Sequence, residues 1–494
     1  MRRTRALALL VLCACGPTLA QAPREAPVAQ RARVTPDAPF RSAPPAPEQA
    51  ARFEPPPIES WTLRNGVRVM LVSQPFLRLV SVEVVSSLPP ETLSSARPGA
   101  RSLVAWLMRN SSPRWIRSTF VDLSGWADPD AIHVRAQLFA SGLEPALDAL
   151  ATMVTRPNLD AAEIERQRTF RLGKSEHERE EPASLAEVAF DAAVYGDQHP
   201  YGVPVRGRGE DLRTVMLPDV VRAYEEEVQP ASTTVVIVGD VDKERVEGPI
   251  AQRFEAWAAR SPTSPPAGVA PTPSSAGARV LVIDRPQSTQ THIVLGGLTV
   301  PRRSPDWTSL SVLNAILGGR PSSRLVRTLR DERGFILSGR SRLAPRKEAG
   351  TFEWEAEANP SHTADTLREV DAQLRRVRSE LVGADELAAA KDSFLENLPT
   401  VFETDPSTAS ALAFLSVYGL PTTEYASRFA AVQAVRAEDV RRVAQVLDAD
   451  RMKVVIVGDW SLLRGQLVAL GWGPIEVRDD AGHPVETVTP PHGG

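Results

Sequence analysis

The sequence predicts an α+β protein built as two homologous halves. Three observations carry this. The string Val-Val-Ile-Val-Gly-Asp occurs at 235–240 and again at 454–459, 219 residues apart, which is close to the size of one α/β unit. Between the copies lies 261–277, where five prolines sit among serines and glycines as a surface linker. Strand patterns come in groups separated by runs of helical periodicity, which argues for α+β halves rather than a doubly wound sheet.

Composition bounds the rest. A chain of 494 residues with 42% hydrophobic and 24% charged residues is globular and long enough for about two to four domains. Lys and Arg number 57 against 61 Asp and Glu, a net charge of −4, so there is no field to attract a nucleic acid. Both cysteines, Cys13 and Cys15, fall within the first 15 residues. The remainder holds no thiol, which excludes a disulfide framework, a Cys-ligated zinc site and a thiol nucleophile. Seven histidines are left for metal or acid/base work.

The N-terminus reads as an export signal. Arg2, Arg3 and Arg5 precede an apolar run from Ala6 to Ala14. At about nine residues this run is too short to span a bilayer, which takes about 20. Leu12-Cys13-Ala14-Cys15-Gly16 resembles a bacterial lipobox in which Cys15 is acylated; cleavage after Ala20 is the alternative. The expected location is the bacterial envelope, either periplasm or outer-membrane lipoprotein, with the lipid as the only membrane contact. Residues 21–57 follow as a tether too rich in proline to fold, ten of the 35 residues from Pro23 to Pro57.

The first half, 58–260, opens with a hairpin: Trp61 to Val72 alternates around an Asn65-Gly66 turn. A third strand is expected over Leu79–Ser86. Helices are expected over 99–108, 142–154 and 160–173, the last with Asp160 as N-cap and Glu163 completing a capping box. Ala131 to Leu138 alternates as a strand and carries His133. The second half spans 278–475, and 476–494 reads as a tail.

Specific residues resemble a known family. Asn65-Gly66-Val-Arg-Val69, Glu165-Arg-Gln-Arg168, His199-Pro-Tyr-Gly202 and Pro230-Ala231 leading into Val238-Gly-Asp240 resemble the first half of the insulinase/pitrilysin (inverted-zincin) peptidases. Gln290, Leu317-Gly-Gly319, Ser323-Arg-Leu325, Leu329-Arg330, Gly334-Phe335 and Glu386-Leu387 with Ala390-Lys391 are similar to that family's inactive half. The resemblance runs in order from Trp61 to Asp459, as in two-half, processing-peptidase-like bacterial members. It implies that each half is an α/β sandwich and that the halves face each other around a peptide-sized chamber.

The resemblance also implies H-x-x-E-H on a helix with a distal Glu, two His and a Glu holding zinc while the motif Glu deprotonates the bound water. Aligned through Gly99-Ala100-Arg101, the two His positions hold Ser102 and Trp106, and the base position holds Ala105. Counting back from Glu180-Glu181-Pro182 puts Lys174 at the distal Glu. Trp cannot ligate zinc, Ala cannot accept a proton and a Lys ammonium repels the cation. A slipped alignment does not change this, because no His occurs between residues 54 and 132. His177 reads as part of a solvated charged segment and His199 as a turn and packing residue. No His pair has i, i+3 or i, i+4 spacing, so no catalytic residue, metal or other cofactor is assigned.

In the second half the resemblance implies an Arg and a Tyr that reach the substrate backbone. Arg330 keeps the guanidinium, and Phe335 keeps the ring without the hydroxyl. An Arg330 ion pair with Asp331 or Glu332 and a packed Phe335 is the competing structural reading. The expected function is a catalytically silent subunit that pairs with an active zinc-bearing homologue and binds extended peptides. A stand-alone or homodimeric peptide-binding scaffold is the alternative, and an active zinc endopeptidase a more distant one.

Overall fold

The computed structural model describes residues 53–88, 96–178, 180–259 and 277–490. Cys15, most of the tether and nearly all of the inter-half linker lie outside them. The hairpin forms as β1 (Glu59–Thr62) and β2 (Arg68–Ser73), followed by β3 (Leu79–Ser86). Gly66 takes the positive φ of 96° that its turn requires. With β4 (Phe120–Ala127), β5 (Ile132–Phe139) and β6 (Thr233–Gly239) these strands make a six-stranded sheet in the order β1-β2-β6-β3-β5-β4.

The second half supplies β7 (Val280–Asp284), β8 (Thr291–Leu298), β9 (Ile336–Ala344), β10 (Thr351–Ala358), β11 (Lys453–Gly458), β12 (Ile475–Arg478) and β13 (Pro484–Val488). Their order is β13-β12-β7-β11-β8-β10-β9. The repeated string occupies equivalent places: β6 pairs parallel with β2 and antiparallel with β3, and β11 pairs parallel with β7 and antiparallel with β8. The expected tail is partly strand, because β12 and β13 extend the second sheet beyond residue 475.

The expected helices form as α1 (Ala100–Asn110), α2 (Leu143–Thr155) and α3 (Ala161–Glu178). Asp160 Oδ1 accepts from the Ala162 and Glu163 amides at 2.7 and 3.2 Å, which makes it the N-cap of α3. Next come α4 (Pro182–Tyr195), α5 (Gly209–Thr214), α6 (Leu217–Glu227) and α7 (Lys243–Phe254). The second half begins with α8 (Trp307–Leu317) and the short α9 (Arg324–Val326), then α10 (Thr363–Ser379), α11 (Ala384–Glu396) and α12 (Asp405–Val417). No helix among the described residues is long and apolar enough to cross a membrane.

Strand alternation explains how the layers stack. Val235 and Ile237 face the helices of their own half, α1, α2, α6 and α7. Val236 and Val238 face the other way, against Leu412 and Leu415 of α12, a helix of the second half. The second sheet repeats this arrangement. Val454 and Ile456 meet their own helices, while Val455 and Val457 meet Phe190 and Val194 of α4, a helix of the first half. The halves therefore exchange helices, each roofing the other's sheet. Gly296 in β8 makes room for this: a Cβ there would strike the Phe352 carbonyl oxygen and come within 3.0 Å of Phe190 Cζ. Within one chain the inner faces of the central strands are thus covered by packed helices, while toward the edge of the second sheet the same face carries the exposed Ser338, Arg340 and Glu357.

A buried polar seam joins the halves beside the exchanged helices. Asp130 Oδ1 accepts from the Tyr201 hydroxyl at 2.5 Å, and Asp130 Oδ2 lies 3.1 Å from the Tyr418 hydroxyl. The Tyr195 hydroxyl donates to Ala349 O at 2.8 Å. His199 Nδ1 accepts from the Tyr201 amide and its ring stacks on Tyr195, so His-Pro-Tyr-Gly does serve as a turn and packing element.

Candidate functional site

The degenerate motif lies on α1. Leu103, Val104, Leu107 and Met108 are buried in the first half's core, which fixes the face of α1 carrying Ser102 and Trp106, four residues apart. Ala105 is fully buried. Edge strand β4 passes tightly over this turn: a Cβ on Gly125 would lie 2.5 Å from Ala105 O and 2.8 Å from Arg109 Cβ. Arg109 Nε donates to Leu123 O at 3.0 Å and straps α1 to that strand.

The residue of α3 that reaches this turn is Arg171. Its Nη1 donates to Ser102 Oγ at 2.5 Å and its Nη2 to Ser102 O at 2.9 Å. Ser102 Oγ in turn donates to Gly99 O at 2.9 Å, so the hydroxyl is committed on both sides. Lys174, three residues further along, is exposed at the surface. Sequence reading did not single out Arg171; its place on α3 one helical turn before Lys174 is the signal that could have pointed to it.

Zinc, which the fold family implies, does not fit these residues. Ser102 offers a neutral hydroxyl already in use, Ala105 offers nothing, and the Trp106 indole has only a donor N–H. Arg171 seats a fixed positive charge on the motif turn. Among the described residues no group of three or more His, Asp or Glu is placed to hold a metal ion.

The neighbouring Arg101 turns inward. Its Nε meets Glu227 Oε2 at 2.7 Å, and its Nη1 donates to the carbonyls of Asp128 and Pro129 at 2.8 and 2.9 Å. This fixes the turn that presents Asp128 to His133. The His133 ring nitrogens meet Glu83 Oε1 at 2.9 Å and Asp128 Oδ2 at 3.0 Å, and the ring stacks on Trp126 with centroids 4.7 Å apart. Burial disfavours the charged ring, yet hydrogen bonds and charge from Asp128 and Glu83 outweigh burial and raise its pKa to about 9. Burial likewise opposes ionisation of Asp128, but His133 overrides it and lowers the carboxyl to about 2. With both nitrogens engaged by carboxylates, His133 is an imidazolium in a structural network rather than a metal ligand or a base. Sequence reading placed His133 on a strand and left this network unseen.

In the second half, Arg330 is exposed and pairs with Asp331, Nε to Oδ1 at 2.8 Å. Phe335 packs at the edge of the second core and stacks on His362, with centroids 4.5 Å apart and rings 14° from parallel. The geometry thus matches the structural reading of these two residues, with Arg330 held by its neighbour. The His177 side chain and Cys15 lie outside the described residues.

Comparison with known proteins agrees with this architecture. The model of the family described as Peptidase M16 inactive domain matches residues 215–394. An uncharacterized zinc protease of Mycobacterium leprae (strain TN) is 26% identical over 343 residues, covering 67% of this chain and 76% of that protein. An uncharacterized zinc protease of Mycobacterium tuberculosis (strain ATCC 25618 / H37Rv) is 25% identical over 409 residues, 80% of this chain and 92% of that protein. The crystal structure of a peptidase M16 inactive domain from Pseudomonas fluorescens superposes with a TM-score of 0.73 at 21% identity, covering 82% of this chain and 98% of that one. The repeated central strand and these likenesses together support the chain as an insulinase-like member of the M16/pitrilysin family.

Proposed function

We propose that this chain is a catalytically silent insulinase-like subunit of the bacterial envelope, which holds extended peptides and pairs with a zinc-bearing homologue that does the cutting. The observation that carries this reading is a complete two-half fold in which Ser102, Ala105 and Trp106 replace ligands and base, with the Arg171 guanidinium seated on the same turn. Because α4 and α12 fill the space between the central strands of the two sheets, a peptide-sized chamber would use the open edge faces and be completed by a second chain. The outer strands β4 and β9 each have one unpaired edge, to which an extended peptide can add as a further strand. Acylation at Cys15 would anchor the assembly to a membrane.

The full chain, tagged and purified from native membranes, should bring down a homologue bearing H-x-x-E-H. Recovery of this chain alone or as a homodimer would overturn the pairing. It would leave the second reading, a stand-alone peptide-binding scaffold, which the Arg330–Asp331 pair and the packed, hydroxyl-free Phe335 favour.

A further inference from the structure

Arg171 and the exposed Arg109 are the arginines of α1 and α3 that bond the fold without a carboxylate, and of the two only Arg171 is half-buried. Arg101 pairs with Glu227, Arg166 with Glu163 and Arg168 with Glu165. Arg171 has no carboxylate partner among the described residues; its two bonds both go to Ser102. A guanidinium carries five N–H donors, so three remain. Arg171 is half-buried; both Nη atoms bond Ser102, and Nε, without a partner among the described residues, is not among the fully buried unpaired atoms, so its N–H opens to solvent. Burial alone lowers its pKa to about 10, and no neighbouring anion compensates.

A partly desolvated cation with a fixed plane, an open Nε edge and no carboxylate of its own is the receptor half of a carboxylate pair. Its position suits a peptide. Ser102 anchors it on the α1 turn over which edge strand β4 passes, and Phe170, exposed beside it on α3, offers an apolar surface. We propose that Arg171, seated on Ser102, is an anion site that holds a carboxylate of a bound peptide, either its C-terminus or an acidic side chain. The motif turn thereby becomes a grip for an anionic group instead of a metal centre. The inference rests on the peptide-binding role proposed for the chain.

Fluorescence anisotropy on the full chain tests it, using short extended peptides in four forms: free acid or C-terminal amide, each with or without one Glu. A carboxylate bound by Arg171 should favour the form that carries it by roughly tenfold or more. Preference for the free acid identifies the C-terminus, and preference for the Glu-bearing amide identifies the side chain. Arg171→Met should bring that ratio to one, and Arg171→Lys should keep part of it. Should Arg171→Met fail to fold, Arg171→Lys and loss of the ratio with added salt on the wild-type chain decide the matter. Equal binding of all four forms, unchanged by Arg171→Met, would overturn the anion site and leave peptide binding intact, with Arg171 as a staple between helices. Binding of none of them would overturn the site together with the peptide-holding role.

Discussion

Raising the pH through the range where His133 titrates should weaken the fold. His133 is charged when buried because Glu83 and Asp128 face its two nitrogens, at 2.9 and 3.0 Å. A neutral imidazole has a single N–H, so one carboxylate would then face a lone pair. A pKa raised from 6.5 to about 9 means the contribution is fully present below about pH 6.5 and is lost as pH rises through about 9. At about 1.4 kcal/mol per pKa unit the whole contribution is about 3 kcal/mol, and about half of it should go between pH 6.5 and 8. Above pH 8 the loss is masked, since burial lowers Lys347 to about 8 and its loss of charge there acts in the opposite direction. Asp191, raised to about 7 by burial, adds a loss of the same sign below 8. The His133 share is therefore the difference between wild type and His133→Gln. Urea denaturation at several pH values across this window should give a steeper fall for wild type than for the variant. Parallel curves would refute the charged His133 network.

Other substitutions probe the helix exchange and the motif turn. Phe190→Ala empties a fully buried ring position between the halves and should cost about 3–5 kcal/mol in urea unfolding; a loss under about 1 kcal/mol would contradict the exchanged packing. Arg101→Leu removes the ion-pair partner of the Glu227 carboxylate, 1% exposed, and should cost about 3–5 kcal/mol, partly restored by adding Glu227→Gln. Ser102→His/Ala105→Glu/Trp106→His should retain no stoichiometric zinc while Arg171 remains, because a unit charge about 4 Å from a dication at an effective dielectric of 20 costs about 8 kcal/mol. Adding Arg171→Glu should allow metal retention, read by elemental analysis.

Local patterns in the sequence located much of the first half. The Asn65-Gly66 hairpin, the Leu79–Ser86 strand and the Asp160 cap reflect interactions within a few residues, so composition and spacing report them. The repeated Val-Val-Ile-Val-Gly-Asp string likewise identifies the central strand of each sheet. What covers those strands is set by residues far apart in sequence. The apolar character of α4 and α12 around much of their circumference signals burial but does not say against which sheet. Residues 476–494 read as a tail because the pairing of β12 with β7, and of β13 with β12, depends on a register that only the assembled sheet supplies. The Glu83–His133–Asp128 network has the same cause: Glu83 lies 50 residues before His133 and is brought to it by strand pairing. At the motif turn the residue replacements were legible, whereas the seating of Arg171 on Ser102 depends on how α3 rolls against α1.

Whether the motif turn of α1, with Arg171 seated on it, can hold a catalytic zinc ion decides between a silent subunit and a peptidase. Full-length protein soaked in zinc, dialysed and analysed for metal, then incubated with an unstructured peptide in the absence of any partner, tests it most directly. No stoichiometric zinc and no cleavage are expected. One zinc retained per chain together with peptide hydrolysis would contradict this.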